Sequence, residues 1–180
     1  MILSQPSASD PTELDDKITR VMAYLQSSVV WGELTTKKAI RISTWLRTPM
    51  APQYLNLHSA QALSLDGNST GRPRAFKQML VPVSLIQGFH IMPPDRDPVD
   101  YDEQELNRIM QPVTALAGPF HFVGKIRISV HTDIEHFLDT SKEVFVSMYD
   151  VEISQSAQPD AGVVRVPMAI VRRERVIFAT

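Results

Sequence analysis

What most constrains this chain is a pattern of short, alternating apolar stretches that comes round twice. Ile40-Arg41-Ile42-Ser43 recurs as Ile126-Arg127-Ile128-Ser129. With Ile40 laid on Ile126, Gly32 meets Gly118 and Leu34 meets Phe120. Past a short insertion near Thr132–Phe137, residues 54–63 lie on 145–154 and residues 76–90 on 166–180. Apolar positions then coincide at Tyr54/Phe145, Leu55/Val146, Leu57/Met148, Leu80/Ile170 and Val81/Val171. A fixed order of similar segments is the signature of a repeated unit, so the sequence reads as two copies of one strand-rich module.

The segments themselves are strand-like. "SSVVWGELTT", "QYLNLHSAQALSL" and "FKQMLV" in the first half, and "GKIRISV", "EVFVSMYDVEIS" and "VVRVPMAIV" in the second, are rich in β-branched and aromatic residues. "DGNSTGRPR" (residues 66–74) has the glycines, asparagine and proline of a surface hairpin loop. The first β repeat is thus placed at 28–92 and the second at 113–180. Between them, residues 93–112 are bracketed by prolines and acidic at the start, which reads as a linker.

The front of the chain reads differently. Residues 1–9 are polar and expected to be disordered. Asp10 as N-cap, Pro11 and Glu13 make a helix start. Leu14, Ile18, Val21, Met22 and Leu25 follow at spacings of three and four. They predict an amphipathic helix over 10–27 whose apolar face covers an open end of the β-structure.

With these segments in place, two resemblances can be stated. The unit resembles small repeated β-domains of functionally uncharacterised bacterial proteins. Its matching residues are Arg41-Ile42-Ser43 with Leu46, Tyr54-Leu55-Asn56-Leu57 with Ala60, and Val81 with Ile86. In the second half they are Arg127-Ile128-Ser129, Phe145-Val146, and Val171 with Val176; the insertion after Ser129 departs from the pattern. That resemblance implies no activity. The unit is also similar to Sm-like barrels through the helix, the glycine of its first strand, and "YLNLHSA". This second resemblance implies RNA binding, with Asn56 at the recognition position. The counterpart of Asn56 is Ser147, however, and the last turns hold Val-Ser and Arg-Glu where the family has a basic residue and glycine. The expected fold is all-β: two copies of a small Sm-like or SH3-like barrel or sandwich packed together, preceded by one helix.

Charge and residue usage narrow the function classes. The net charge of −2 gives no general attraction to phosphate backbones. The absence of cysteine removes disulfides, thiolate nucleophiles and cysteine-ligated metals. No Gly-x-Ser-x-Gly elbow or phosphate-binding loop is present, and no cofactor is implied. "HTDIEH" (131–136) spaces its histidines five apart, unlike a helical metal pair, and reads as a turn or helix start. With no apolar run of spanning length and no secretory pattern, the expectation is a cytoplasmic protein without membrane partners.

Arg41 and Arg127, each between two isoleucines, are the candidate ligand-binding residues, with Trp45 beside the first. Two guanidinium groups from matching strands would make a twinned anion site. The alternative is that each closes a turn or pairs with a carboxylate such as Glu33 or Asp139. "RRER" (172–175) reads as a solvated hairpin tip. The leading expectation is a non-enzymatic interaction or regulatory module acting through protein partners or self-association. RNA binding and small-anion sensing are the alternatives.

Overall fold

The computed structural model describes residues 15–65, 71–102, 104–156 and 162–180. Among them the chain is mainly β, with ten antiparallel strands in one sheet and two short helices. In the first half, β1 (Asp16–Tyr24), β2 (Ser28–Lys37), β3 (Tyr54–Ser64) and β4 (Arg74–Pro82) form a meander. Helix α1 (Ile42–Arg47) sits between β2 and β3. A 3-10 turn at Val83–Leu85 then leads to β5 (Gly88–Ile91), which returns to pair with β1. The second half takes the same course through β6 (Arg108–Ala117), β7 (Phe120–Ser129), α2 (Ile134–Thr140), β8 (Phe145–Gln155) and β9 (Val164–Arg172). A 3-10 turn at Arg173–Arg175 follows, and β10 (Ile177–Ala179) returns to β6. The halves join where β5 pairs with β9, so the strand order is β10-β6-β7-β8-β9-β5-β1-β2-β3-β4.

Each half surrounds its own core, and each lends residues to the other. Leu55, Leu57, Ile86 and Phe89 of the first half pack with Phe145 and Ile170 of the second. Phe120, Phe122, Ile126 and Met148 of the second pack with Tyr24 and Val29 of the first. Tyr24 meets the Phe120 and Phe122 rings edge-on, with centroids 4.7 and 5.0 Å away. This exchange makes the two halves one packed body. The helices plug the cores: α1 inserts Ile42 and Leu46, and α2 inserts Ile134 backed by Phe137 and Leu138.

Five expectations are corrected. The segment expected to be helical is strand β1 from Asp16 to Tyr24, while the proposed cap at residues 10–13 lies outside the described residues. Its apolar residues satisfy a period of two as well as one of 3.6: Thr19, Val21 and Ala23 are buried, and Ile18 points outward at 66% exposure. Pairing on both sides, with β2 and β5, decides for the strand. The covering role expected of that helix falls to α1 and α2.

The two IRIS segments are not equivalent. Ile40–Ser43 runs from coil into α1, whereas Ile126–Ser129 ends β7. The glycine that matches Gly32 is Gly124. Each stands at a register shift in its strand pair, and a Cβ on either would lie 2.8 Å from a carbonyl, of His58 or Tyr149. Across from them, Ser59 and Asp150 adopt positive φ of 47° and 51°, which marks the same bulge in both halves. Gly118 instead turns between β6 and β7 at φ +58°. In this register Thr132–Phe137 is no insertion, because α2 answers α1. The overlay of 54–63 on 145–154 does coincide with β3 and β8, as does Val81/Val171 with β4 and β9.

The last correction concerns the linker. Strand β6 begins at Arg108, inside the stretch assigned to it, and Asp95, Asp97 and Asp100 before it are bound to other parts of the fold. The hairpin of β3 and β4 is present; residues 66–70 of its loop lie outside the described residues.

Candidate functional site

The segment between β5 and β6 is a strap in which Asp95, Asp97, Asp100 and Glu105 meet partners elsewhere in the fold. Asp95 accepts the Arg20 backbone N–H at 3.1 Å. Asp97, with its side chain 4% exposed, accepts both the backbone N–H and the hydroxyl of Ser43, at 3.0 and 2.9 Å, and faces Lys17 at 3.8 Å. It therefore caps α1, whose own N-cap residue Arg41 supplies no side-chain acceptor. Asp133 does the same for α2 from within, accepting the His136 N–H at 2.8 Å. Arg41 and Asp133 thus occupy corresponding cap positions.

Further along, the strap closes over a cleft of about 530 Å³ between α1, α2, β7 and β8. Asp100 is its centre. It pairs with Arg47 and accepts hydrogen bonds from Tyr149 Oη at 2.6 Å and Ser147 Oγ at 3.1 Å. Burial, and then the Asp100 carboxylate, push the Tyr149 hydroxyl above its ordinary pKa, so it stays protonated and donates. Arg47 also reaches Glu143 at 3.2 Å. Arg127 pairs with Glu105 at 2.9 Å, donates to the Asp102 carbonyl and lies over the Tyr101 ring at 4.8 Å. Arg108 shares Glu105 at 3.1 Å. Three arginines thus meet three carboxylates in a charge-neutralising network that fastens the strap.

The sequence-predicted site residues are not brought together. Arg127 lines the cleft, but Arg41 is exposed at the start of α1, and the two do not share a structural position. The two arginines therefore are not the matched pair that the IRIS overlay led to expect. Trp45 donates from Nε1 to the Met50 carbonyl at 3.0 Å and supports the exit of α1. Asn56 is tied to Gln78 at 2.8 Å on the face of β3, while its counterpart Ser147 is buried against Asp100.

Sequence reasoning missed Arg47, Asp97, Asp100 and Arg172. Arg172, assigned to a solvated tip, stacks on Phe145 at 4.5 Å and donates across the joint to the Ile86 and Val83 carbonyls. Its backbone N–H extends the β5·β9 ladder to the Gln87 carbonyl at 2.7 Å. Arg173 likewise donates to Leu138 O at 2.7 Å.

The two outer strands complete the picture. Strand β4 exposes Phe76 (44%) and Leu80 (60%), and β10 exposes Ile177 (67%). Among the described residues, each has one paired neighbour in the sheet and one open side. No helix among the described residues is long and apolar enough to cross a membrane. No family model, curated protein or solved structure matches this chain.

Proposed function

We propose that the chain is two fused copies of one unit and serves as a non-enzymatic interaction module that takes its partners by strand addition. The observation that carries this is the pair of strands that end the sheet among the described residues, each exposing large apolar side chains beside a side that no described strand pairs. Natural edge strands are normally shielded by charge, proline or a covering loop, because an open one is a template for another strand. Strand β4 carries Arg74, Lys77 and Pro82, yet Leu80 among them, and Ile177 on β10, stand in the open. The strap cleft is better suited to holding the fold closed than to chemistry, since its arginines are matched by carboxylates from within.

A labelled peptide with the sequence of residues 74–82 tests the reading. Fluorescence anisotropy should show it binding the intact protein at the β10 edge. Ile177→Lys should weaken that binding at least about tenfold, because a charge would enter an apolar contact, while Arg41→Ala should leave it unchanged. Absence of binding, or equal binding by Ile177→Lys, would refute strand addition.

A further inference from the structure

The molecule already contains one joint between units, and its two edges are the two halves of a second. Strand β5 completes its own half by returning to β1, with Gly88 opposite Tyr24; β10 returns to β6, with Ile177 opposite Leu116. The positions Gly88 and Phe89 therefore correspond to Ile177 and Phe178. Strand β9, which receives β5, corresponds to β4 by their pairing with β8 and β3: Val146 faces Val171 as Leu55 faces Val81. We infer that the partner of each edge is a second copy of this chain, added head to tail, with β10 of one copy pairing with β4 of the next as β5 pairs with β9. This rests on the strand-addition reading above and names the strand that is added.

The register follows from the internal joint. Gly88 faces Val171 and Phe89 faces Ile170, so Ile177 would face Val81 and Phe178 would face Leu80 of the neighbour. Burial separates the made joint from the unmade one. Ile170 is fully buried and Phe89 is 1% exposed, whereas Leu80 is 60% and Ile177 67% exposed; Val81, like Val171, is already buried. The same sheet position is core in one place and bare in the other.

Side-chain sizes agree with a repeated joint. At the internal one, Gly88 leaves room for Phe122: a Cβ there would lie 2.4 Å from the tip of that ring. At the joint between copies, the larger Ile177 replaces Gly88. The position of Phe122 is then taken by the neighbour's Val30, since β2 and β7 align through Gly32 and Gly124. A side chain is gained on one strand and shortened on the other, which is how facing apolar surfaces keep their packing.

One feature limits the strength of the second joint. The counterpart of Arg172 is Pro82, opposite Tyr54 as Arg172 is opposite Phe145. Proline has no N–H to extend the ladder and no guanidinium to reach the carbonyls of the facing turn. Association between copies is accordingly reversible, and such a head-to-tail contact is heterologous.

Light scattering of the full-length protein across a concentration series tests the inference. The mass should rise above that of the 20.2 kDa monomer as concentration increases. Leu80→Lys and Ile177→Lys should each be monomeric alone. Mixed, they should form a one-to-one dimer that grows no further, because the first keeps a sound β10 and the second a sound β4. Pro82→Arg, which restores an N–H, should lower the concentration of half-assembly at least about fivefold. Monomers at every concentration for both the natural chain and Pro82→Arg would overturn the inference, as would a natural assembly whose Lys variants fail to dimerise on mixing. If the chain stays monomeric while the 74–82 peptide still binds, strand addition stands and the second copy is excluded as its partner.

Discussion

Single residues carry the joint. Gly88 is required because Phe122 occupies the space a Cβ would need. Gly88→Ala should destabilise the fold by about 1–3 kcal/mol through overpacking. Combined with Phe122→Leu, the total loss should fall short of the sum of the two single losses, because the clash is removed; urea denaturation of the four proteins measures this. His90 is a second such residue. Its Nδ1 faces the Ile91 carbonyl at 3.0 Å, which can only accept, so Nδ1 carries the proton and Nε2 accepts from Tyr24 Oη at 3.1 Å. Burial lowers its pKa below the ordinary 6.5, against a smaller opposing effect of the Ile91 bond. Arg96 and Asp97 line the same small cavity. The unfolded chain therefore binds this proton more readily than the fold. The contribution is fully present above about pH 6.5 and is lost as pH falls toward the lowered folded value. The urea midpoint of the natural chain should drop more between pH 7.5 and 5 than that of His90→Gln; parallel profiles would exclude His90 as a source of the pH dependence.

At the scale of elements, α1 depends on an acceptor brought to it by the strap. Asp97 lies 54 residues from Ser43 in sequence, so no local motif announces it. Asp97→Ala should cost about 1–3 kcal/mol, since it leaves a buried N–H and hydroxyl unpaired, whereas the exposed Arg41→Ala should cost under about 0.5 kcal/mol. Arg172→Ala should cost about 2–3 kcal/mol by removing two charge-assisted bonds across the joint, read as a lower thermal midpoint. These elements also show what was legible. Strands β3, β4, β8 and β9 were readable because β-branched residues and turn-formers mark their limits locally. Strand β1 was not, because Val21, Met22 and Leu25 fit two periodicities and only its neighbours β2 and β5 choose between them. The IRIS match misled for a related reason: four identical letters can serve a helix start in one place and a strand end in another. The bulge that truly aligns the halves shows in sequence only as Gly32 and Gly124. The cleft was the least legible part, for Arg47, Asp100 and Tyr149 come from three distant segments and none belongs to a motif. Arg127 alone was singled out in advance, as half of a pair that the fold does not make.

For the whole molecule, the order of strands matters more than any one contact. Among the described residues, ten strands in a single sheet leave two ends, and the internal β5·β9 pairing is the model for how we propose that such ends meet. On the proposed strand-addition reading, a protein built this way serves as a connector whose specificity lies in edge register and side-chain size, with the strap and Arg172 tying the two halves together between the edges. Amide hydrogen exchange, followed strand by strand as protein concentration is raised, tests this most directly. β5 and β9 should be protected at every concentration, while the outward amides of β4 and β10 gain protection together as concentration rises. Exchange at β4 and β10 that stays fast throughout, or protection that grows elsewhere on the sheet, would contradict the account.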